Sequence, residues 1–158
     1  MSTKVSRRTV VGLAAGMGLL PSLADAREPG LTAHELRVEW LTDPVGLDTR
    51  RPRFRWILEA DEGARDVRPT TLRVIVASSP ERLAARVGDI WDSGRRKSGR
   101  LDVAPPKDLP LTSHTPYVWA VEIDGVWSAS ARFVTGILDP AEWRARWIMA
   151  KPEKTRGA

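Results

Sequence analysis

Apolar residues recur at every second position in five segments of the chain, which is the spacing of β-strands with one buried face. In HELRVEWL, the apolar residues Leu36, Val38 and Trp40 alternate with charged residues. The four later segments and their inward-facing residues are RFRWILE (Phe54, Trp56, Leu58), LRVIVAS (Leu72, Val74, Val76), YVWAVEI (Tyr117, Trp119, Val121, Ile123) and ARFVT (Ala131, Phe133). This pattern predicts a chain that folds mainly as β-sheet.

Two shorter candidate strands lie at residues 89–92 and 99–103. They bring the predicted total to roughly seven strands in about 110 residues, the size of an immunoglobulin fold. We therefore predict an all-β, immunoglobulin-like or fibronectin type III-like β-sandwich over residues 34–137. Ile75, on the reverse face of its strand, indicates that this strand is central.

One short helix and one turn interrupt the strands. In SSPERLAARVG, Ser79 is the predicted N-cap, Pro80 takes the first helical position and Gly88 ends the helix. The segment DPVGLD, residues 43–48, is predicted to be a turn because it contains proline and glycine. Both features are connections between strands and carry no chemistry of their own.

Tryptophan is unusually frequent, with seven residues against two phenylalanines and one tyrosine. Four tryptophans are predicted to pack in the core because they lie in strand patterns: Trp40, Trp56, Trp91 and Trp119. Trp127, in the tight stretch DGVWSAS, is expected to be partly exposed. It is the candidate for stacking on a glycan.

The sequence changes character after Gly136. Residues 138–158 contain a capping signal at Asp139, two tryptophans four residues apart, Trp143 and Trp147, and then Ile148. One interpretation is a terminal turn that packs both rings on the sandwich. The other is an interdomain linker whose three apolar residues contact a further domain, followed by a polar tail.

Residues 1–26 have the features of an export signal. A basic stretch with Arg7 and Arg8 precedes a run of uncharged residues, and the small residues Ala24 and Ala26 form an A-x-A-like cleavage site. The arginine pair resembles a twin-arginine signal. The uncharged run is shorter than the ~20 apolar residues that span a bilayer. We therefore expect export to the periplasm or the extracellular space, with no stable membrane span after cleavage.

Charge argues against nucleic acid as a partner. The chain carries a net charge of +5, and removal of residues 1–26, which carry +2, leaves +3 on a surface of mixed sign. An exported protein also meets little nucleic acid.

The residues needed for catalysis or metal binding are sparse. The chain has no cysteine and two histidines, His34 and His114, which both lie beside turn residues. Asp89 and Asp92 flank a tryptophan, but a glycosidase pair needs one acid with a raised pKa in a concave cleft, so turn carboxylates are the better interpretation. We predict no catalytic residue, no metal site and no cofactor.

Five segments, in order and at compatible spacing, carry a resemblance to a known family. They are DPVGLDTRRPRFRW, VIVASSPERL, GDIWDSG, LTSHTPYVWAVEI and FVTGILDPAEWRARWI. Together they resemble the N-terminal fibronectin type III-like domain of bacterial α-L-rhamnosidases over residues 35–148. The chain departs from the family pattern at residues 69–72, at residues 122–124 and at Met149, which indicates a truncated or decaying copy.

The resemblance implies an activity that lies elsewhere. Rhamnosidases of this family hydrolyse terminal α-L-rhamnosides with inversion, using an acidic pair in an (α/α)6 barrel several hundred residues downstream. Further β-domains, one of them rhamnose-binding, lie between. The resemblance thus implies an accessory domain, not catalytic on its own, whose partners are the downstream catalytic and β-domains. The alternative hypothesis is a free-standing extracytoplasmic carbohydrate-binding module that binds rhamnose-containing glycans through Trp127.

Overall fold

The computed structural model describes residues 30–60, 67–146 and 148. Within these residues the chain forms ten strands, one α-helix and one short 3-10 helix. They are β1 (Leu31–Val38), β2 (Val45–Leu47), β3 (Phe54–Ala60), β4 (Thr71–Ala77), α1 (Pro80–Ala84), β5 (Trp91–Asp92), β6 (Arg96–Lys97), β7 (Asp102–Val103), β8 (Pro116–Ile123), β9 (Val126–Trp127), β10 (Ala131–Thr135) and the 3-10 helix Pro140–Glu142.

The strands form two sheets. The smaller sheet has the order β1-β3-β7, and the larger has the order β2-β10-β8-β4-β5, with β6 on β4 and β9 on β8. Only β2 and β10 are parallel among the described strand pairs. The predicted all-β immunoglobulin-like sandwich is confirmed. The seven predicted strands are present, and the three additional ones, β2, β6 and β9, are two or three residues long.

The core lies between the two sheets, where the alternating apolar residues meet. Phe54 of β3 is at its centre, with ring centroids 4.8 Å from Trp119 and 6.1 Å from Phe133 on the larger sheet. Trp91 stacks on the same ring at 5.7 Å, and Trp56 is fully buried beside it. These aromatic rings are among the largest side chains that the core buries, so each removes a large apolar area from water.

A second apolar cluster covers the outer face of the larger sheet. Helix α1 packs Leu83 against Ile75 and Ala120, so β4 is buried on both faces, as Ile75 predicted. Ser79 caps the helix and Pro80 begins it, as predicted. The helix ends at Ala84, earlier than the predicted stop at Gly88.

The predicted core position of Trp40 is wrong. Val38 and Leu41 pair with each other through two hydrogen bonds of 2.9 Å, so the chain reverses before Trp40 and the alternation of β1 ends there. The Trp40 residue is 57% exposed. The prediction of a turn over residues 43–48 is incomplete, because this segment also contains the short strand β2.

Candidate functional site

A groove of about 930 Å³ opens where the chain leaves the last strand of the sandwich, and we call it the exit groove. Its lining is mostly apolar and includes Val45, Val134, Leu138 and Trp143. Val45 is 82% exposed and Trp143 is 66% exposed. Large apolar side chains that remain exposed around one concave surface are typical of an interaction site.

The close approach of two glycines shapes this groove. The backbone N–H of Gly136 donates to the carbonyl oxygen of Leu47 at 2.7 Å. A Cβ on Gly136 would lie 3.0 Å from the carbonyl oxygen of Gly46, and Gly46 itself has φ +86°, in the left-handed region. Strand β2 can therefore lie directly against the segment that follows β10 because Gly136 carries no side chain, whereas Gly46 is favoured for its left-handed backbone, since a Cβ there would meet no atom within 4 Å.

Trp143 is held at the rim of the exit groove by the 3-10 helix. Asp139 caps this helix by accepting a hydrogen bond from the backbone N–H of Ala141 at 2.9 Å, as its sequence position predicted. The backbone N–H of Trp143 donates to the carbonyl oxygen of Pro140 at 3.1 Å. The local structure therefore fixes the position of the backbone at Trp143 while the side chain stays exposed.

The exposure of Trp143 and Ile148 bears on the two interpretations of residues 138–158. Trp143 does not bury its ring in the sandwich, and Ile148 is almost fully exposed. Trp147 lies outside the described residues. For Trp143 and Ile148, the structure favours the linker interpretation, in which their apolar surfaces are available to a further domain.

Both histidines occupy structural positions. His114 lines the exit groove in a left-handed turn, with φ +55°, and its backbone N–H donates to the carbonyl oxygen of Gly136 at 3.1 Å. His34 lies on β1. Among the residues that the structure describes, no group of three or more His, Asp or Glu side chains could hold a metal ion.

The acidic residues Asp89 and Asp92 are engaged in hydrogen bonds. The Arg73 guanidinium donates to both carboxylate oxygens of Asp92, at 3.0 and 2.6 Å, and this lowers the pKa of Asp92. Burial acts to raise the pKa of Asp89, but hydrogen bonds from Ser78 and the charge of Arg82 outweigh it, so this pKa is also lowered. Neither carboxyl has the raised pKa that a general acid needs.

Trp127 is half-buried among charged side chains on the outer face of the larger sheet. The guanidinium carbon of Arg86 lies 4.4 Å from its ring centroid, and that of Arg73 lies 5.8 Å away. Opposite it on β8, Glu122 is buried and forms an ion pair with Arg95. The predicted role of Trp127 as a glycan contact stays a prediction, and two arginines already occupy the surroundings of its ring.

The predicted export and cleavage residues, Arg7, Arg8, Ala24 and Ala26, lie outside the described residues. In the part of the chain that the structure does describe, no helix is long and apolar enough to cross a membrane.

A known domain family matches nearly all of the sandwich. The profile described as "Rha78A-like, N-terminal immunoglobulin domain" covers residues 33–139. The chain belongs to this family. The resemblance seen in the five sequence segments is thereby confirmed.

The relatives of this rhamnosidase-type immunoglobulin domain are much longer proteins. An α-L-rhamnosidase of Streptomyces avermitilis is 35% identical over 119 residues, covering 72% of this chain and 11% of the relative. One from Formosa agariphila is 30% identical over 125 residues, covering 75% of this chain and 13% of the relative. The chain thus matches about an eighth of the length of these relatives.

Solved structures agree with this assignment. The α-L-rhamnosidase from Dictyoglumus thermophilum superposes with a TM-score of 0.68 at 29% identity, over 77% of this chain and 14% of that one. The Streptomyces avermitilis α-L-rhamnosidase complexed with L-rhamnose gives a TM-score of 0.67 at 34% identity, over 77% and 12%. In both, the matched part is one domain of a multidomain enzyme.

The sequence analysis missed most of the exit groove of this rhamnosidase-type domain. Val45 was not singled out, Gly46 was assigned only to a turn and Gly136 only to the end of the sandwich, because β2 is too short to show an alternation and its parallel pairing with β10 is long-range. The signal that could have found it is the pair of glycines beside short β-rich segments, since a glycine there often marks a close backbone approach.

Proposed function

We propose that this chain is the accessory N-terminal domain of an exported α-L-rhamnosidase-like glycoside hydrolase, and that the exit groove docks it on the next part of that enzyme. The observation that carries the proposal is the position of Trp143. In the relatives this domain is N-terminal, so the rest of each enzyme follows it in the chain. Here the chain leaves the sandwich beside an apolar groove, with Trp143 exposed at its rim.

The chemistry of the exit groove fits a neighbouring domain better than a free surface. Val45 and Trp143 expose apolar area to water, which is unfavourable in an isolated domain and favourable once another protein surface covers it. Aromatic residues at the centre of such contacts carry much of the binding free energy, often 2 kcal/mol or more for one tryptophan. Docking would therefore stabilise both partners through Trp143, and we include Trp147 and Ile148 in the proposed interface.

A chimeric enzyme tests this proposal. Residues 33–148 of this chain would replace the matching domain of the Streptomyces avermitilis α-L-rhamnosidase, with Trp143→Ala and Val45→Asp introduced in separate variants. We expect the parent chimera to hydrolyse an aryl α-L-rhamnoside and both variants to melt at lower temperature. Trp127→Ala is the matched control, since it removes a tryptophan away from the groove.

The isolated chain serves as a second control. Trp143→Ala and Val45→Asp should leave its own melting temperature nearly unchanged, because both side chains are exposed there. Chimeras that melt alike with and without the two substitutions would contradict docking through the exit groove.

The second candidate function is a free-standing carbohydrate-binding module for rhamnose-containing glycans. Partial exposure of Trp127 favours it, although Arg86 lies close to the ring. Saturable retention of the chain on such a glycan, abolished by Trp127→Ala, would support this function. Retention that is unaffected by Trp127→Ala would contradict a role for this residue.

We also propose that residues 1–26 export the protein. The support is the order of the features: Arg7 and Arg8, then an uncharged run, then Ala24 and Ala26.

A further inference from the structure

Backbone strain is concentrated in the second half of β1 and the hairpin that follows it. Within the described residues, seven non-glycine residues have positive φ, and four of them lie between positions 35 and 43: Glu35, Glu39, Trp40 and Asp43. Residues held in the left-handed region cluster at ligand-binding sites, where the surrounding structure maintains the strain. The hairpin is therefore a place to look for a function.

Trp40 occupies the most unusual of these positions. Glu39 and Trp40, with φ +48° and +71°, are the two central residues of the turn that the Val38–Leu41 pairing closes. Positive φ at both central positions is the type I′ pattern, in which the second position is normally glycine. A tryptophan is strained there because its Cβ crowds the backbone carbonyl. The strained turn places the large side chain of Trp40 in solvent, where it does not contribute to packing of the core.

Arg55 covers one face of the Trp40 ring. Its guanidinium carbon lies 4.2 Å from the ring centroid. No described residue forms a hydrogen bond or an ion pair with the Arg55 side chain, so the cation–π contact is what holds it there. With Trp40 more than half exposed, the second face of the ring is open to solvent, and the N–H donors of Arg55 are available.

The surrounding charges leave this guanidinium uncompensated. Glu35 pairs with Arg37 at 2.8 Å, and Glu39 pairs with Arg53 at 2.9 Å. Asp102, which lies opposite Arg55 in the strand register, pairs with Arg100 at 3.5 Å. Each of these carboxylates thus has its own cation, and Arg55 contributes an excess positive charge at the hairpin.

A small pocket lies at this position. It has a volume of about 180 Å³ and is lined by Glu35, Arg37, Trp40, Arg55, Trp56 and Ile57. The Nε atom of Arg37 is buried and has no hydrogen-bond partner among the described residues. Pockets for drug-sized ligands measure roughly 300–1,000 Å³. This one therefore suits a single ring or the end of a chain.

We propose that Trp40 and Arg55 form a binding site for an acidic saccharide, a pyranose that carries a carboxylate. The apolar face of the sugar ring would stack on the open face of Trp40. Arg55 lies on the other face of the ring, so the carboxylate that it binds would belong to the neighbouring residue of the saccharide, which passes the edge of the indole. The planar guanidinium of Arg55 matches this carboxylate in a two-point contact. This site is separate from the exit groove, so its test does not depend on docking.

Nucleic acid combines aromatic stacking with negative charge as well, but the surroundings favour the saccharide. Single-stranded nucleic acid needs a basic groove along its backbone together with successive aromatic platforms. Within the part of the chain that the structure describes, the pocket offers one exposed aromatic platform beside one unpaired guanidinium, and the acidic residue Glu35 also lines it. An oligonucleotide is therefore a competing outcome of the test.

Titration of the chain with trigalacturonate, followed by NMR of the tryptophan indole N–H groups, tests the proposal. We expect the NMR signal of the Trp40 indole N–H to shift in a saturable way as trigalacturonate is added. The Arg55→Gln variant should bind trigalacturonate with a Kd about tenfold higher or more. The fully methyl-esterified trimer should bind less tightly, because it lacks the carboxylates. Trp127→Ala is the matched control and should bind as the unchanged chain does.

Trp40→Gly separates a binding role from a structural one. Glycine relieves the strain of the turn, so this variant should melt at the same or a higher temperature while losing trigalacturonate binding. Unchanged binding by Trp40→Gly, equal binding of the methyl ester, or the same shifts with inorganic sulfate or oligothymidylate would overturn the proposal. Absence of any trigalacturonate binding would overturn it too.

Discussion

Replacing Gly88 by alanine is expected to destabilise the sandwich, because this position has no room for a Cβ. A Cβ there would lie 2.4 Å from the carbonyl oxygen of Trp91 and 3.1 Å from the Cβ of Ile75. The first contact is with backbone that is fixed in place, since β5 pairs with the central strand β4 and Ile90 donates to the carbonyl oxygen of Val76 at 3.2 Å. The clash can be relieved only if the loop moves off the sheet.

The size of the effect follows from the cost of overpacking. An extra methyl group in a well-packed site lowers the free energy of unfolding by about 1–3 kcal/mol. Because backbone must also move at Gly88, we expect Gly88→Ala to lie in the upper part of this range, at about 2–3 kcal/mol. For a domain of roughly 110 residues, each kcal/mol corresponds to about 4 °C in melting temperature. We therefore expect Gly88→Ala to lower the melting temperature by about 8–12 °C.

Thermal and urea unfolding followed by circular dichroism would measure this change. Gly99→Ala is the matched control, because its Cβ would meet the nearest atom, the carbonyl oxygen of Pro69, at an ordinary 3.7 Å. That variant should be neutral or slightly stabilised, by up to about 1 kcal/mol, through the lower entropy of the unfolded chain. A Gly88→Ala variant that melts together with Gly99→Ala would refute the argument, since it would show that the loop before β5 is not packed against β4.

Three further predictions concern two buried or paired side chains of the sandwich and the arginine pair near the N-terminus. The ion pair with Arg73 lowers the pKa of Asp92, so its stabilisation is present at neutral pH and is lost as pH falls through the lowered pKa. Asp92→Asn should cost about 1 kcal/mol at pH 7, and urea unfolding should show a smaller loss of stability on acidification than in the unchanged chain. Tyr117→Phe removes a buried hydroxyl that accepts a backbone N–H at 2.9 Å, and urea unfolding should show a loss of about 1–3 kcal/mol. Replacing both Arg7 and Arg8 by lysine should leave the protein in the cytoplasm, measured by cell fractionation, whereas unchanged export would contradict a twin-arginine signal.

The sandwich could be predicted because its long strands each turn a face of alternating apolar residues toward the core. Strands β3, β4 and β8 are seven or eight residues long, and each has at least three inward apolar residues at every second position, a spacing that distinguishes a strand from a helix. Tyr117 also fits the architecture, since a tyrosine near the start of a strand that bonds backbone a few residues upstream is typical of immunoglobulin-like sandwiches. The fold could therefore be predicted from patterns that are local in the sequence.

The errors have equally local causes. The hairpin turn at Glu39 and Trp40 contains neither glycine nor asparagine, so the sequence gives no sign that β1 ends at Val38. Helix α1 ends at Ala84, and Arg86 takes the left-handed position that glycine normally fills, so the predicted stop at Gly88 was too late. In both places, side chains occupy backbone conformations that intrinsic preference disfavours.

The candidate surfaces could not be predicted from such patterns because contacts between distant segments create them. The exit groove needs β2 to lie against the chain after β10, and the Trp40 site needs Arg55 of β3 to reach across to the hairpin. Periodicity reports which face of a strand is buried. It does not report which strands become neighbours, and both surfaces depend on that.

The two most exposed tryptophans of the described chain are the ones that its own core does not explain. Phe54, Trp56 and Trp119 already fill the space between the sheets, so Trp40 and Trp143 add nothing to core packing. Trp40 is strained where it stands, and Trp143 is held at the rim of a groove. A strained or exposed tryptophan is unfavourable for the stability of the isolated domain. We therefore expect each of these side chains to form a favourable contact with a molecule or domain outside it. The two contacts are separable, because Trp40→Gly should affect saccharide binding alone and Trp143→Ala should affect domain docking alone.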